Sequence, residues 1–298
     1  MKILNFGSLN IDYVYNVDHI LVGGETLAAT GRNVYPGGKG LNQSVAFARA
    51  DADVWHAGAI GKEDGQILFD VLQISGVNTE FLLKLEGIPS GHTFIQVDKK
   101  GQNCILVHGG SNQEIKQSHV DETLKYFSTG DYLILQNEIN DIDYLIKAGH
   151  EKGMKVVLNP SPIDDSIYSL PLDLVDFFLV NEIEAAQLVE GDSFEELLEN
   201  FVLKYPHSHV VMTVGSQGSY YAHQKERAHF GIFDVPVVDT TAAGDTFTGY
   251  FISSFAEGLS PQQSLEIASA ASSIAVSRAG ASSSIPTIKE VEQFLAEQ

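Results

Sequence analysis

The residues best placed to do chemistry stand at Asp239-Thr240-Thr241-Ala242-Ala243-Gly244-Asp245-Thr246-Phe247. The stretch reads as a turn of small residues that opens a helix, with one carboxylate, Asp245, in the first helical turn. A helix start leaves backbone N–H groups unpaired. Together with the positive end of the helix dipole they form an anion site. Ala242, Ala243 and Gly244 carry no bulk that would keep a phosphate away. A carboxylate beside such a site is electrostatically unfavourable. Work as a general base, taking a proton from an attacking hydroxyl, would account for it. Stabilisation of the helix dipole is the plainer account of the same residue.

Other polar residues sit where ligands are met. Asn10 and Asp12 lie just past the first strand, in Gly7-Ser8-Leu9-Asn10-Ile11-Asp12. Open α/β sheets bind ligands at such strand ends. An Asp accepts from adjacent hydroxyls and an Asn both donates and accepts, which suits a polyol; turn formation is the alternative. Pro36-Gly37-Gly38-Lys39-Gly40-Leu41-Asn42-Gln43-Ser44 opens a helix after a glycine-rich loop. Its glycines permit close backbone approach and positive φ. Asn42 points from the first turn toward the same place, or else the loop merely carries a solvated lysine. Asn181 suits an N-cap before Glu182-Ile183-Glu184. The run Ala268 to Ser273 is all small, as close helix–sheet packing requires.

These residues need a scaffold, and composition allows one. The chain has 298 residues, 44% hydrophobic and 19% charged, enough to bury a sizeable core. No apolar run approaches the roughly 20 residues of a membrane span. The start is too short and soon too polar for a signal peptide. The single cysteine, Cys104, excludes an internal disulfide and a Cys-rich metal site. A cytoplasmic location is expected. The net charge of −21 argues against nucleic acid and anionic membranes as partners.

Hydrophobic patterning predicts strands at residues 2–7, 54–60, 132–135, 155–158, 177–180 and 209–214, then short strands at 219–222 and 228–230. Helices are predicted at 41–49, 66–74, 142–152, 182–189, 194–205, 246–257 and 261–277, with a short one from Ile288. This alternation predicts a doubly wound, mostly parallel α/β sheet flanked by helices, in a single domain over residues 1–298. Strands at 12–17 and 27–35 and a hairpin at 92–108 break the rhythm. They predict a small antiparallel β flap inserted in that domain.

The ordered set of segments resembles the ribokinase, or PfkB, family of carbohydrate kinases. The carriers are Gly7 to Asp12, Pro36 to Ser44, Asn181-Glu182-Ile183-Glu184, Thr213-Val214-Gly215-Ser216-Gln217-Gly218 and Asp239 to Phe247. The resemblance implies a ribokinase-like fold whose flap is a lid over the sugar and a homodimer contact. It implies ATP-dependent transfer of the γ-phosphoryl group to the primary hydroxyl of a free sugar, with D-ribose first. Fructose, deoxyribose or a nucleoside are the alternatives, and a non-catalytic sensor the different class. It assigns Asn10, Asp12, Gly38, Lys39, Gly40, Asn42 and Glu138 to the sugar. Asp245 becomes the base, with Ala242, Ala243 and Gly244 around the anion hole. Asn181 and Glu184 go to the phosphates and the water shell of Mg²⁺. Thr213, Gly215, Ser216, Gly218 and Ser269 go to the nucleotide. A monovalent cation (K⁺) would lie beside Asp239, Thr241, Ala275, Arg278, Gly280 and Ser284, held mostly by carbonyls.

Two positions depart from the family pattern. Asp51 replaces the usual glycine after the first signature helix, and Asp tolerates the left-handed conformation that the turn needs. Tyr250 replaces a small residue and is expected to alter packing under the sugar site or at its rim. Lid aromatics Tyr13, Tyr15, His92 and Phe94 could offer a platform for a nucleoside base. Arg32, Lys39, Lys99 and Lys100 are the cations available to a phosphorylated sugar.

Overall fold

Strand β1 (Ile3–Phe6) is buried at every position, as a central strand covered on both faces must be. The computed structural model describes residues 1–298. From β1 the chain leaves the main sheet through β2 (Asn10–Asn16) and β3 (Gly31–Gly37) and returns in helix α1 (Lys39–Arg49). There follow β4 (Val54–Gly61), α2 (Gln66–Ile74) and β5 (Asn78–Leu85), then a second excursion through β6 (Gly91–Val97) and β7 (Asn103–His108). Helix α3 (Gln117–Leu124), β8 (Tyr132–Gln136), α4 (Ile142–Glu151), β9 (Lys155–Asn159) and β10 (Phe177–Asn181) continue the winding. So do α5 (Glu182–Leu188), α6 (Phe194–Lys204), β11 (His209–Thr213), β12 (Ser219–His223) and β13 (Glu226–Phe230). Helices α7 (Ala243–Ala256), α8 (Pro261–Val276) and α9 (Ile288–Ala296) close the chain.

The main sheet has nine strands in the order β13-β12-β11-β10-β9-β8-β1-β4-β5. All pairs from β11 to β5 are parallel, and β12 and β13 add an antiparallel edge. Side chains alternate between two cores. Leu4, Phe6, Leu133, Leu135, Val156, Leu158, Phe178 and Val180 point to one core, shared with α3–α6. Ile3, Ile134, Val157, Phe177, Leu179 and Val211 point to the other, under α1, α7 and α8. The expected doubly wound architecture is therefore present. The sequence pattern missed two elements, the half-buried strand β5 and the short helix α3.

The second sheet, β3-β2-β6-β7, is mixed rather than antiparallel. Each hairpin is antiparallel inside, but β2 and β6 pair in parallel, Asp12 beside Thr93 and Tyr13 beside Phe94. Both strands leave the main sheet in the same direction, so their shared ladder has to be parallel. The first return strand lies at Gly31–Gly37, later than the expected 27–35.

Asp51 adopts φ 59° after the end of α1, the left-handed turn expected of it. Tyr250 sits elsewhere than expected. Its ring is fully buried between α1 and α7, and its hydroxyl donates to the carbonyls of Pro286 (2.7 Å) and Arg49 (3.1 Å). That places it at the C-terminal end of α1, away from the helix start that carries Lys39 and Asn42. It ties down the C-terminal segment, and the expected effect on a sugar site has no support in its position. Tyr250→Phe should lower stability by about 1–3 kcal/mol, the cost of the buried Pro286 carbonyl losing its donor. Denaturant titration reads this, and an unchanged midpoint would deny the hydroxyl that role.

Candidate active site

In five strands of the main sheet the last side chain on the face toward α1 and α7 is polar. Asn5 on β1, Gln136 on β8, Asn159 on β9, Asn181 on β10 and Thr213 on β11 share the parity of the apolar residues beneath them. The C-terminal edge of one sheet face is thus a polar shelf, and two helix starts converge on it. One belongs to α1, after Gly38 at φ 95°. The other belongs to α7, after Ala242 at φ 60°.

Asp245, 8% exposed, sits in the first turn of α7. Its two oxygens are held by the other helix: Asn42 Nδ2 donates to Oδ2 and Gln43 Nε2 to Oδ1, both at 3.0 Å. The backbone N–H groups of Gly244 and Asp245 find no acceptor within the chain, whereas those of Ala243 and Thr246 bond Thr240 and Ala242. The space over Gly244 is open. Two unused donors at a helix mouth, with room before them, fit an anionic phosphoryl group. Before them lies a cleft of about 220 Å³ lined by Lys39, Asn159, Asn181, Glu184, Thr213, Thr240 and Ala242 to Asp245.

Lys39 is the cation of this cleft. Burial alone would lower its pKa, but Asp245, Glu138 and Glu184 outweigh it and raise the ammonium above its ordinary value. Glu138 lies beside the same loop, where Oε2 accepts from Ser8 Oγ and from the Lys39 amide. Burial pushes its pKa up, against the opposing pull of Lys39. Asp12 is likewise raised by burial, although Thr93 Oγ1 donates to its Oδ1 at 2.6 Å. Asn10 Oδ1 accepts from Asn112 Nδ2 at 2.8 Å. Asn42 Oδ1 is buried without a partner, an acceptor left for something outside the chain.

The glycines of the loop have separate reasons. Gly38 needs its positive φ. A Cβ on Gly40 would collide with the backbone of Gly7 and Ser8, so Gly40 answers to a close approach within the chain rather than to a ligand.

Asn181 and Glu184 form a full capping box: Asn181 Oδ1 accepts from the Glu184 amide at 2.8 Å, and Glu184 Oε2 from the Asn181 amide at 3.0 Å. Both nevertheless line the cleft. Thr213 reaches the cleft, while Gly215 and Ser216 lie in the exposed turn beyond it and Gly218 is buried against the Phe230–Gly231 backbone, with positive φ at Gly215 and Gly218. Ser269 faces β12, 3.4 Å from Ser219 Oγ, in the small-residue packing of α8, and does not line the cleft.

Asp239 and Gly280 bring the two remaining loops together. The Gly280 amide donates to Asp239 Oδ2 at 3.0 Å, and Val238 and Asp239 both bond the Val276 carbonyl. Thr241 donates to Asp239 Oδ1. Burial opposes ionisation of Asp239, but these bonds prevail and hold it below the usual carboxylate range. Arg278 pairs with Glu290 at 2.8 Å, its amide bonds the Ala275 carbonyl, and Ser284 Oγ bonds the Ala281 carbonyl. No group of three or more His, Cys, Asp or Glu forms a metal cluster.

Sequence reasoning missed Gln43, Asn112, Thr93, Gln136, Asn159 and Asn5. A repeated signal existed: Tyr-Leu-Ile-Leu-Gln, Lys-Val-Val-Leu-Asn and Phe-Phe-Leu-Val-Asn are each a largely apolar strand ending on an amide, and β1 carries Asn5 one residue before its end.

An open α/β sheet with a lid, a helix mouth free for an anion and a carboxylate held beside it define a phosphotransferase. Residues 1–288 match the pfkB family carbohydrate kinases. The chain is 34% identical over 311 residues to ribokinase from Schizosaccharomyces pombe, covering 98% of this chain and 97% of that one. It is 37% identical over 295 residues to the bifunctional ribokinase/ribose-5-phosphate isomerase A of Fructilactobacillus sanfranciscensis, covering 96% of this chain and 54% of that protein. The structure of Arabidopsis thaliana ribokinase complexed with ribose and ATP superimposes with a TM-score of 0.87 at 28% identity, over 99% of this chain and 98% of that one. The chain belongs to the PfkB family of carbohydrate kinases, enzymes that transfer a phosphoryl group to an alcohol.

Proposed function

We propose that the chain phosphorylates the primary hydroxyl of D-ribose with ATP, giving ribose 5-phosphate. The observation that carries this is Asp245, a buried carboxylate beside two unused helix-mouth amides. Asp245 takes the proton of the attacking hydroxymethyl group. The Gly244 and Asp245 amides, with Lys39, face the charge that builds on the transferred group. Asn10, Asp12, Asn42 and Glu138 supply donors and acceptors to the sugar hydroxyls, and the unpartnered Asn42 Oδ1 is one such acceptor. Asn181 and Glu184 border the phosphates, where Mg²⁺ would be met through its waters; when bound, it neutralises phosphate charge. Thr213, Gly215, Ser216 and Gly218 face the nucleotide side. The carbonyl-rich loops around Asp239, Thr241, Ala275, Arg278, Gly280 and Ser284 suit a K⁺ ion.

Particular residues favour a free pentose. Tyr13, Tyr15, His92 and Phe94 cluster on the lid face opposite Asp12 and Thr93, by strand alternation. A base held beside a sugar at Asp12 would not meet them. Arg32 stacks on Tyr13, also on that far face, and Lys99 pairs with Asp18. Of Arg32, Lys39, Lys99 and Lys100, Lys39 alone lines the cleft, too few for a second phosphate. No helix is long and apolar enough to cross a membrane.

The lid also supports self-association. Edge strand β7 is exposed throughout, and Tyr35, Ile105 and Val107 present apolar surface on the Asp12 face. Such a face calls for a cover, and a second copy of the lid matches it.

Measurements of catalysis, of pH dependence and of assembly bear on this reading. Turnover with Mg·ATP should be strongest on D-ribose among ribose, 2-deoxyribose, fructose, fructose 6-phosphate and adenosine. Asp245→Asn should fold and bind ATP yet lose about 10²-fold or more in kcat; near-normal turnover removes Asp245 from its role. Second, the raised pKa values of Asp12 and Glu138 place their protonation above the ordinary carboxylate range of about 4. The ionised forms accept sugar hydroxyls, so kcat/KM for the sugar should fall as pH drops through that raised window. A flat profile there sinks their role as acceptors. In the same window the folded chain binds more protons than the unfolded one, so these two groups weaken folding as pH rises. Third, sedimentation should give about twice the 32.4 kDa chain mass, and Ile105→Glu should return the monomer. A monomeric wild type refutes the lid contact.

A further inference from the structure

The amide of Gln43 takes no part in the chemistry described above, yet it is fully buried and touches the base. Its Nε2 donates to Asp245 Oδ1 at 3.0 Å and also reaches Asn159 Oδ1 at 3.4 Å. Its Oε1 accepts from Gln136 Nε2 at 2.7 Å. The same Gln136 nitrogen donates to Asn5 Oδ1 at 3.0 Å. Asn5 Nδ2 donates to the Gly40 carbonyl and to Ser44 Oγ, both at 2.8 Å. Gln136 and Asn5 are fully buried as well.

Each bond in this chain fixes the direction of the next. A backbone carbonyl only accepts, so Gly40 decides which end of Asn5 is nitrogen. Asn5 then turns its oxygen to Gln136, which has to present nitrogen. The second hydrogen of that nitrogen meets Gln43, which has to present oxygen. Gln43 is left aiming its nitrogen at Asp245. Turning Gln136 over would set its oxygen against two other oxygens. As it stands, Gln136 Oε1 is buried with no partner. Packing alone gives no reason to keep such an orphan. Keeping two donors aimed at Asn5 and Gln43 does.

We propose that Gln43 is a positioning residue for Asp245, held in its donating orientation by Gln136 and Asn5. With Asn42 on Oδ2 and Gln43 on Oδ1, both edges of the carboxylate are pinned from α1. Its plane toward the acceptor hydroxyl is then set before substrate arrives. This rests on the reading of Asp245 as the base.

The test is a double-mutant cycle in the full chain, with Mg·ATP and D-ribose, or the best acceptor of the panel. Gln43→Met should lower kcat about tenfold to a hundredfold, as a small misplacement of a catalytic group does. KM for ATP and for the sugar should stay within about twofold. In an Asp245→Asn background the same change should move the residual kcat by less than about twofold, since there is no base left to position. Loss of equal size in both backgrounds overturns the proposal, as does a raised KM with kcat intact. Either result leaves Asp245 as the base. A fully active Asp245→Asn instead removes the base and this proposal with it. Where the Asp245→Asn residual is below detection, the split between kcat and KM decides. Should Gln43→Met fail to fold, Gln136→Met is read on the same quantities, because it releases Gln43 while leaving both Gln43 and Asp245 in place.

Discussion

Asp245, in the first turn of α7, is held by side-chain donors from outside that helix. Here both donors come from α1, and the packing of α1 against α7 is what brings them into range. Asn42 and Gln43 reach Asp245 only because Gly249 lets α7 close onto Ala46 and Phe47 of α1. Gly40, in turn, lets α1 begin against the backbone of Ser8 at the end of the first strand. The glycine-rich segment is therefore a packing device. Its placement on β1 and the placement of the carboxylate are one geometric problem.

The sheet supplies the other half. Parallel strands end together, and their last side chains on the α1–α7 face are polar in five neighbouring strands. Apolar residues beneath them are sealed from water, while the polar ends meet the cleft or one another. Lys39 sits among Asp245, Glu138 and Glu184, and those carboxylates keep it charged despite burial. A cleft bordered by acidic groups still presents a cation.

Much of this was legible in the chain. The βα rhythm, the left-handed turn at Asp51 and the helix starting near Asp245 all follow from local pattern, since each depends on neighbours within a few residues. Strand β5 was not visible, because Asn78-Thr-Glu-Phe-Leu-Leu-Lys-Leu shows no clean alternation at a half-buried edge. The mixed lid was not visible either, for its central ladder joins strands about 80 residues apart. Gln43, Gln136 and Asn5 lie on three elements and become a network only after the sheet forms. Tyr250 misled for the same reason: proximity to Gly249 in the chain says nothing about which end of α1 its hydroxyl meets.

The parallel pairing of β2 with β6 has a mechanical side. The lid joins the main body at four chain crossings, near Asn10, Gly37, Gly91 and Gly109, three of them glycine. Peeling one hairpin away would break the ladder between β2 and β6 along its whole length. Rocking the four strands together breaks none of it. The lid is thus one hydrogen-bonded plate, and Asp12 and Thr93, which lie on its two central strands, are fixed to each other within it.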